Sequence, residues 1–320
     1  MKLPITQSKE WQKLQEDLKE ESFFEKKEGY QFLAIKKHTP VGNYLYLPYG
    51  PIAKDKSSFK AALNAINTLA KNQNVIFARI EPQNPDFAEF LPPKTYKSRD
   101  LNPKETWVLD LSDKDRESII LGFSHGVRNP YNTAQKRGLI VESTRDITKI
   151  KHLVDLQHAL AREKHIHTYS EHYLKTEFEQ PFATLYLVKY QKPETTEPTS
   201  NHPKDGQIIA ASLFFDYDGT RYYMQSAADN RYKKLPATVV LLATAILDAK
   251  DQGIKHFDFW GIAPEGANQS HPWYGFTKFK KSFGGHEVQY AGTYDIVTNP
   301  IKYKLYQSTR FLGRLLHRQQ

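Results

Sequence analysis

The chain contains no cysteine. That excludes disulfides, thiolate metal sites and a cysteine nucleophile, and is compatible with a reducing compartment. Nor does any apolar run approach the ~20 residues of a membrane span. The opening MKLPITQSKEW lacks the pattern of a signal peptide, so a cytoplasmic protein is expected. No Gly-x-Gly arrangement precedes the helical patterns at 57–72 or 235–251, which counts against a pyrophosphate-binding loop opening a helix. What is present in excess is positive charge: 45 Lys and Arg against 36 Asp and Glu, a formal +9. Such a balance favours an anionic partner (nucleic acid, a nucleotide or pyrophosphate, or an acidic membrane surface), although solubility alone would also explain it. At 320 residues the chain exceeds the usual size of one core, so two domains are expected. The 19 Tyr and 18 Phe suit large packed sheets and stacking sites.

Ser8 reads as the cap of a first helix with Trp11, Leu14 and Leu18 on its inner face. Strand-like runs follow at 31–35 and 43–47, the second ending in Pro48-Tyr49-Gly50-Pro51. Phe59, Leu63, Ile66 and Leu69 predict a helix over 57–72, and a strand at 75–80 ends at Glu81-Pro82. Residues 82–103 are proline-rich and read as a connection to a strand at 107–111. Helices are expected at 113–123, 127–136, 146–164 and 168–179, and strands at 183–189, 207–215 and 221–226. The polar stretch KPETTEPTSNHPKDG predicts a mobile loop. The most apolar helix spans 235–251 and is closed by Gly253. The helices at 57–72 and 235–251 are each followed by a tight turn, an interleaved strand and a proline at a polar loop. This repetition predicts two similar mixed-sheet domains. The tail, 301–320, carries Lys302, Lys304, Arg310, Arg314 and Arg318 and no acid, with Leu305, Leu312, Leu315 and Leu316 on one helical face. It reads either as a helix docked on its own protein or as a basic helix touching RNA or anionic lipid.

Residues 257–294 are the most informative. Phe257, Phe259 and Ile262 interleave with Asp258, Trp260 and Gly261 as a strand would, and a polar loop follows. Beyond it Trp273, Phe276 and Phe279-Lys280 recur at three-residue spacing on one side of a helix, which Gly284 and Gly285 close. A lysine on such a stripe is a candidate for stabilising developing negative charge. The alternative is an ordinary strand–loop–helix with a solvated lysine row.

Tyr222-Tyr223 leading to Ser226, Pro236 opening a long helix, Gly253, Asp258-x-x-Gly261 and Gly275-x-x-x-Phe279-Lys280-x-x-Phe283-Gly284 together resemble the FemABX family. These are the aminoacyl-tRNA-dependent peptidyltransferases that build peptidoglycan cross-bridges. Gln7-Ser8-x-x-Trp11 extends the resemblance to nearly the full chain, and it is strongest over 221–294. It implies an α/β (α+β) chain of two tandem GNAT-like domains with mixed sheets flanked by helices. The first would comprise 1–103 plus 291–320 and the second 104–290. The few residues joining the helices at 146–164 and 168–179 match members without a coiled-coil arm, and imply a monomer.

The implied reaction is aminolysis of an aminoacyl-tRNA ester by an amine of a peptidoglycan precursor, lipid-linked or UDP-linked, with Gly, Ala or Ser as the usual cargo. No cofactor or metal is implied, and contact with the inner membrane face is open. Lys280 matches the family lysine held to stabilise the tetrahedral oxyanion, with Phe279 as its aromatic neighbour. Glu81 aligns with an acidic position suggested as the base, a loop-capping carboxylate being the alternative. Substrate contacts carry over onto Trp11, Lys13 and Tyr173, and onto Tyr169 and Gln225, where family members have an arginine and a tyrosine. The aligned lysine position after Trp11 is Gln15, so Lys13 is displaced by two residues. Arg162, His165, His167 and His172 are nearby replacement groups, and these histidines do not complete a metal site. Two rival readings are a GNAT-like N-acyltransferase using acyl-CoA and a non-catalytic tRNA-binding module.

Overall fold

The protein is described by a computed structural model over residues 3–194 and 202–317. Within the loop expected to be mobile, 195–201 lie outside the described residues, as do Arg318 and the side chains of Leu312, Arg314, Leu315 and Leu316. The chain divides into two compact units, residues 1–104 with 289–320, and 105–288.

In the first unit Ser8 caps α1 (Lys9–Asp17) by accepting from the Trp11 N–H at 3.0 Å. Strands β1 (Ser22–Lys27), β2 (Tyr30–Thr39) and β3 (Gly42–Leu47) form an antiparallel meander, and the two-residue β4 (Ile52–Ala53) also pairs with β2. Asp55 caps α2 (Lys56–Asn72), whose Phe59, Leu63, Ile66 and Ala70 recur at helical spacing and are buried against the sheet. α2 crosses over to β5 (Phe77–Ile80), which lies parallel to β3. The short strand β6 (Thr95–Lys97) comes before the passage to the second unit.

The second unit runs β7 (Glu105–Asp110), α3 (Arg116–Gly122), α4 (His125–Asn132), β8 (Leu139–Thr144), α5 (Ile150–Lys164) and α6 (Glu171–Glu179). It continues with β9 (Ala183–Tyr190), β10 (Ile208–Tyr217), β11 (Thr220–Ala228), α7 (Ala237–Asp251), β12 (His256–Gly261), α8 (Tyr274–Lys281) and β13 (His286–Gln289). These strands form one sheet in the order β13-β7-β12-β11-β10-β9-β8. α7 is apolar almost all round, and nine of its residues are buried in the core with Phe214, Phe257 and Phe259. α7 joins β11 to the parallel strand β12, as α2 joins β3 to β5. The repeated helix–turn–strand pattern is thus a βαβ crossover used once in each unit, and the expected mixed α+β architecture is present in both.

The chain then returns to the first sheet. β14 (Tyr294–Val297) inserts antiparallel between β5 and β6. Asp295 takes two bonds from Arg79 of β5, at 2.7 and 2.8 Å, and a third from the Tyr303 hydroxyl at 2.9 Å. Tyr303 belongs to the final helix, α9 (Pro300–His317). α9 docks on its own unit through Tyr303 and Tyr306, whose rings lie 5.3 and 4.9 Å from that of Phe77. The leucine face expected to dock begins instead with an exposed Leu305 (55 %), because the aromatic side of the helix meets Phe77 and Tyr44.

The glycine pair after α8 has a backbone cause. Gly285 adopts φ +105°, and a Cβ there would stand 2.4 Å from the Val108 carbonyl oxygen of β7. Gly285→Ala is expected to destabilise the second unit by about 2–3 kcal/mol, from left-handed backbone strain plus displacement of a neighbouring strand. A urea midpoint equal to that of the unsubstituted protein would contradict this.

Candidate active site

Strand β12 ends irregularly, and its ending positions Lys280. Trp260 takes φ +65°, its N–H bonding to the Asp258 carboxylate at 2.8 Å, and the register with β7 slips between Asp258 and Gly261. Such a bulge re-aims the backbone beyond it. The Gly261 carbonyl consequently accepts from Lys280 Nζ at 2.6 Å, and the Ala263 N–H donates to Thr277 Oγ1 at 2.7 Å. Thr277 and Lys280 are three residues apart, so these two bonds fasten one face of α8 to the strand end. Phe279 adds apolar packing: its ring meets Phe283 edge-on at 5.4 Å, and Phe283 lies 5.5 Å from Phe259. The three lysines at the end of α8 therefore have different environments. Lys278 is exposed, Lys281 lies over the Trp107 ring at 4.8 Å, and Lys280 is half-buried. Burial pushes the Lys280 ammonium down to about 8, partly opposed by the Asp258 carboxylate. An ammonium has three N–H donors and Gly261 uses one, so two remain for a ligand oxygen.

Beside this strand end the sheet opens. β11 and β12 pair only from Thr220–His256 to Tyr222–Asp258. Three residues further along each strand stand Gln225 and Gly261, with no ladder between them. Gln225 joins a polar cluster built with α5 and α6. Its Nε2 donates to Glu177 Oε2 at 3.3 Å, and its Oε1 accepts from Gln157 at 3.4 Å. Thr168 then donates to Gln157 Oε1 at 2.7 Å. The rings of Tyr169 and Tyr173 stack at 4.5 Å, Tyr173 bonding to Glu177 and Tyr169 to Gln225. Tyr169 is half exposed (50 %), whereas Glu177 beneath is almost inaccessible (1 %). Desolvation pushes the Glu177 carboxyl up to about 8, against the lowering effect of bonds from Tyr173 and Gln225.

The structure thus brings Tyr169, Tyr173 and Gln225 together and sets Phe279 and Lys280 side by side on α8. Sequence reading missed Glu177 and Gln157. The available signal for Glu177 was spacing: it follows Tyr173 by four residues on α6, hence on one helical face, and Tyr169 stands just ahead of the Ser170 cap. Arg162, His165, His167 and His172 are exposed, and among the described residues no group of three or more His, Asp or Glu stands close enough to hold a metal.

The other predicted residues belong to the first unit. Trp11 is buried on the inner face of α1, while Lys13 points to solvent and pairs with Asp17 one turn on. Glu81 follows β5 and is buried (3 %). It accepts from the Tyr46 hydroxyl at 3.1 Å, the Tyr49 N–H at 3.2 Å, the Asn102 N–H and Nδ2 at 3.2 and 2.9 Å, and Thr293 Oγ1 at 3.1 Å. Burial raises its carboxyl and these donors oppose the rise. Five donors on a group with about four lone-pair directions make Glu81 a tie between the strand end, the 102 loop and the return segment.

Residues 176–310, which include Glu177 and Gln225 of the polar cluster, α7, β12 and the Lys280 helix, match the FemAB family. Over this stretch, 135 of the 320 residues, the chain is similar to the FemAB family. Among solved structures, FemX covers 95 % of this chain and 94 % of its own, at TM-score 0.78 and 17 % identity. L-PGS from Bacillus licheniformis covers 95 % of this chain and 96 % of its own, at TM-score 0.58 and 13 % identity. At such identities the likeness is one of fold. No curated protein matches the sequence. No helix among the described residues is long and apolar enough to cross a membrane.

Proposed function

We propose that this chain is an aminoacyltransferase that moves an amino acid from aminoacyl-tRNA to the amine of a peptidoglycan precursor peptide. The observation that carries the reading is Lys280, a half-buried ammonium fastened to the irregular end of β12 with two donors free. The ester is already activated, so positioning and charge stabilisation supply most of the required acceleration. The amine nitrogen attacks the ester carbonyl carbon, and the oxygen takes up negative charge that the Lys280 ammonium stabilises. Collapse breaks the bond to the ribose oxygen, leaving an amide and a free tRNA 3′ end. The proton lost by the amine passes, through a carboxyl group, to that leaving oxygen.

Of the buried carboxyls, Asp258 is held in the β12 bulge by the Trp260 N–H and Asp295 is paired with Arg79, and the two weighed for this proton are the predicted Glu81 and Glu177. Glu177 is favoured, because two side chains donate to it whereas five bonds fill Glu81. Tyr169, Tyr173 and Gln225 above Glu177 are the proposed contacts of the acceptor peptide. The basic balance of the chain, +9, supports an anionic nucleic-acid donor.

The test is transfer by the purified protein from a set of charged tRNAs to UDP-linked and lipid-linked muropeptides, read by product mass, with acetyl-CoA and phosphatidylglycerol as competing donor and acceptor. A mass increase of one aminoacyl residue on a muropeptide is expected. Transfer from acyl-CoA alone, or to the lipid alone, would replace this reading.

A further inference from the structure

The face of α8 that carries Lys280 is covered at one end and bare at the other. Phe276 and Trp273 lie four and seven residues before Lys280, so all three share one helical face. Towards the C-terminal end that face is packed: Phe279 meets Phe283 and the core, and Lys280 bonds to Gly261. Towards the N-terminal end it is open, with Phe276 63 % and Trp273 42 % exposed. Phe276 is the most exposed aromatic ring among the described residues. Packing explains Phe279; Trp273 has an edge contact with the loop residue His271, at 6.2 Å between centroids, and the Phe276 ring faces solvent. The helix also carries Lys278, Lys280 and Lys281 and no acid, so an occupant of this surface would be anionic as well as flat.

We propose that Phe276 and Trp273 are a stacking platform for the terminal unpaired nucleosides of the aminoacyl-RNA donor, leading its ester to Lys280. The inference rests on the Lys280 reading above and adds how the donor is recognised. At 1.5 Å rise per residue, Phe276 sits about 6 Å and Trp273 about 10 Å along the axis from Lys280. The terminal base of an aminoacyl-RNA is one ribose ring from the ester carbonyl, and the preceding base is one nucleotide further out. An ester held at Lys280 therefore brings the last base to the height of Phe276 and the one before it to that of Trp273. Stacking on aromatic rings accepts any base, and neighbouring lysines meet the phosphates. An anionic bilayer would also accept rings and lysines. RNA is favoured because the row is a single stripe ending on the half-buried ammonium.

The test uses the full chain and an uncharged RNA minihelix ending in unpaired CCA, with 2-aminopurine replacing the last adenine. Binding to the unsubstituted protein should quench the 2-aminopurine. Phe276→Ala should weaken binding about tenfold or more and abolish the quench, while Phe276→Tyr retains both. Removing the last nucleotide should weaken the unsubstituted protein to the level of Phe276→Ala and leave that variant unchanged. Equal affinity and quench in Phe276→Ala would overturn the proposal, as would failure of the unsubstituted protein to bind the minihelix. Loss of binding to vesicles of phosphatidylcholine and phosphatidylglycerol in equal parts, with RNA binding intact, would also overturn it and assign the rings to a membrane. A protein that binds and quenches as expected, but whose Lys280→Met variant transfers normally, would remove the Lys280 reading alone.

Discussion

Lys280→Met is expected to lower aminoacyl transfer about 100- to 1,000-fold, the usual loss when one donor to a developing oxyanion is removed. Methionine keeps most of the volume and the unbranched stem, so Thr277, Phe279 and Phe283 continue to hold α8 in place. Stability provides the control. The folded-state value of Lys280 is depressed from 10.5 to about 8, so the cost of keeping this group charged is fully present below pH 8 and fades as pH rises towards 10.5. At pH 7 the variant, which has no such charge, should be no less stable than the unsubstituted protein. A large fall in transfer with an unchanged melting temperature supports the charge role, and full transfer would end it. The same value predicts that transfer by the unsubstituted protein declines as pH rises through about 8, when the ammonium loses its proton. A rate that climbs steadily to pH 10 would show that the charge is not needed.

The second large effect concerns Glu177. Its carboxyl is raised from 4.5 to about 8, so the folded chain holds this proton more tightly than the unfolded chain does. Stability from this group is therefore complete below about pH 4.5 and is lost as pH rises through 8, by up to roughly 5 kcal/mol. Glu177→Gln removes the titration and keeps the shape and a hydrogen-bonding end for Tyr173 and Gln225. Between pH 5.5 and 8.5, urea midpoints should fall steeply for the unsubstituted protein and stay nearly level for the variant. Parallel profiles would mean that Glu177 ionises as an ordinary carboxyl. On transfer, the substitution should reduce turnover more than it raises the KM for tRNA, because the proposed role is relaying a proton from the amine to the leaving oxygen, which an amide does not do.

Much of the secondary structure was readable locally. The caps at Ser8 and Asp55 and the apolar spacing of α2 and α7 are short-range features, and the helices begin and end within a few residues of their expected bounds. The repeated helix–turn–strand unit was likewise visible, and it marks the parallel pair of each sheet. The short strands were not. β1 alternates poorly because it is an edge strand with charged residues on its open side. β14 places an aspartate in the middle of four residues, which local propensity reads as a turn. Arg79, 216 residues earlier in the chain, makes that aspartate tolerable by pairing with it in the interior.

The candidate site divides in the same way. The order of residues along the chain placed a lysine after Phe279 on an aromatic stripe, and set Tyr169 and Tyr173 one turn apart, because helical periodicity is a property of neighbours. Which lysine is desolvated is a different kind of fact. Lys278, Lys280 and Lys281 have the same chemistry, and only the bulge at Trp260 directs a carbonyl at the middle one. Glu177 became a buried acid through Gln225 and Gln157, supplied by β11 and α5, and Glu81 became a tie through Asn102 and Thr293. Proton affinity depends on how much water and how many donors surround a group, and both are set by segments distant in sequence.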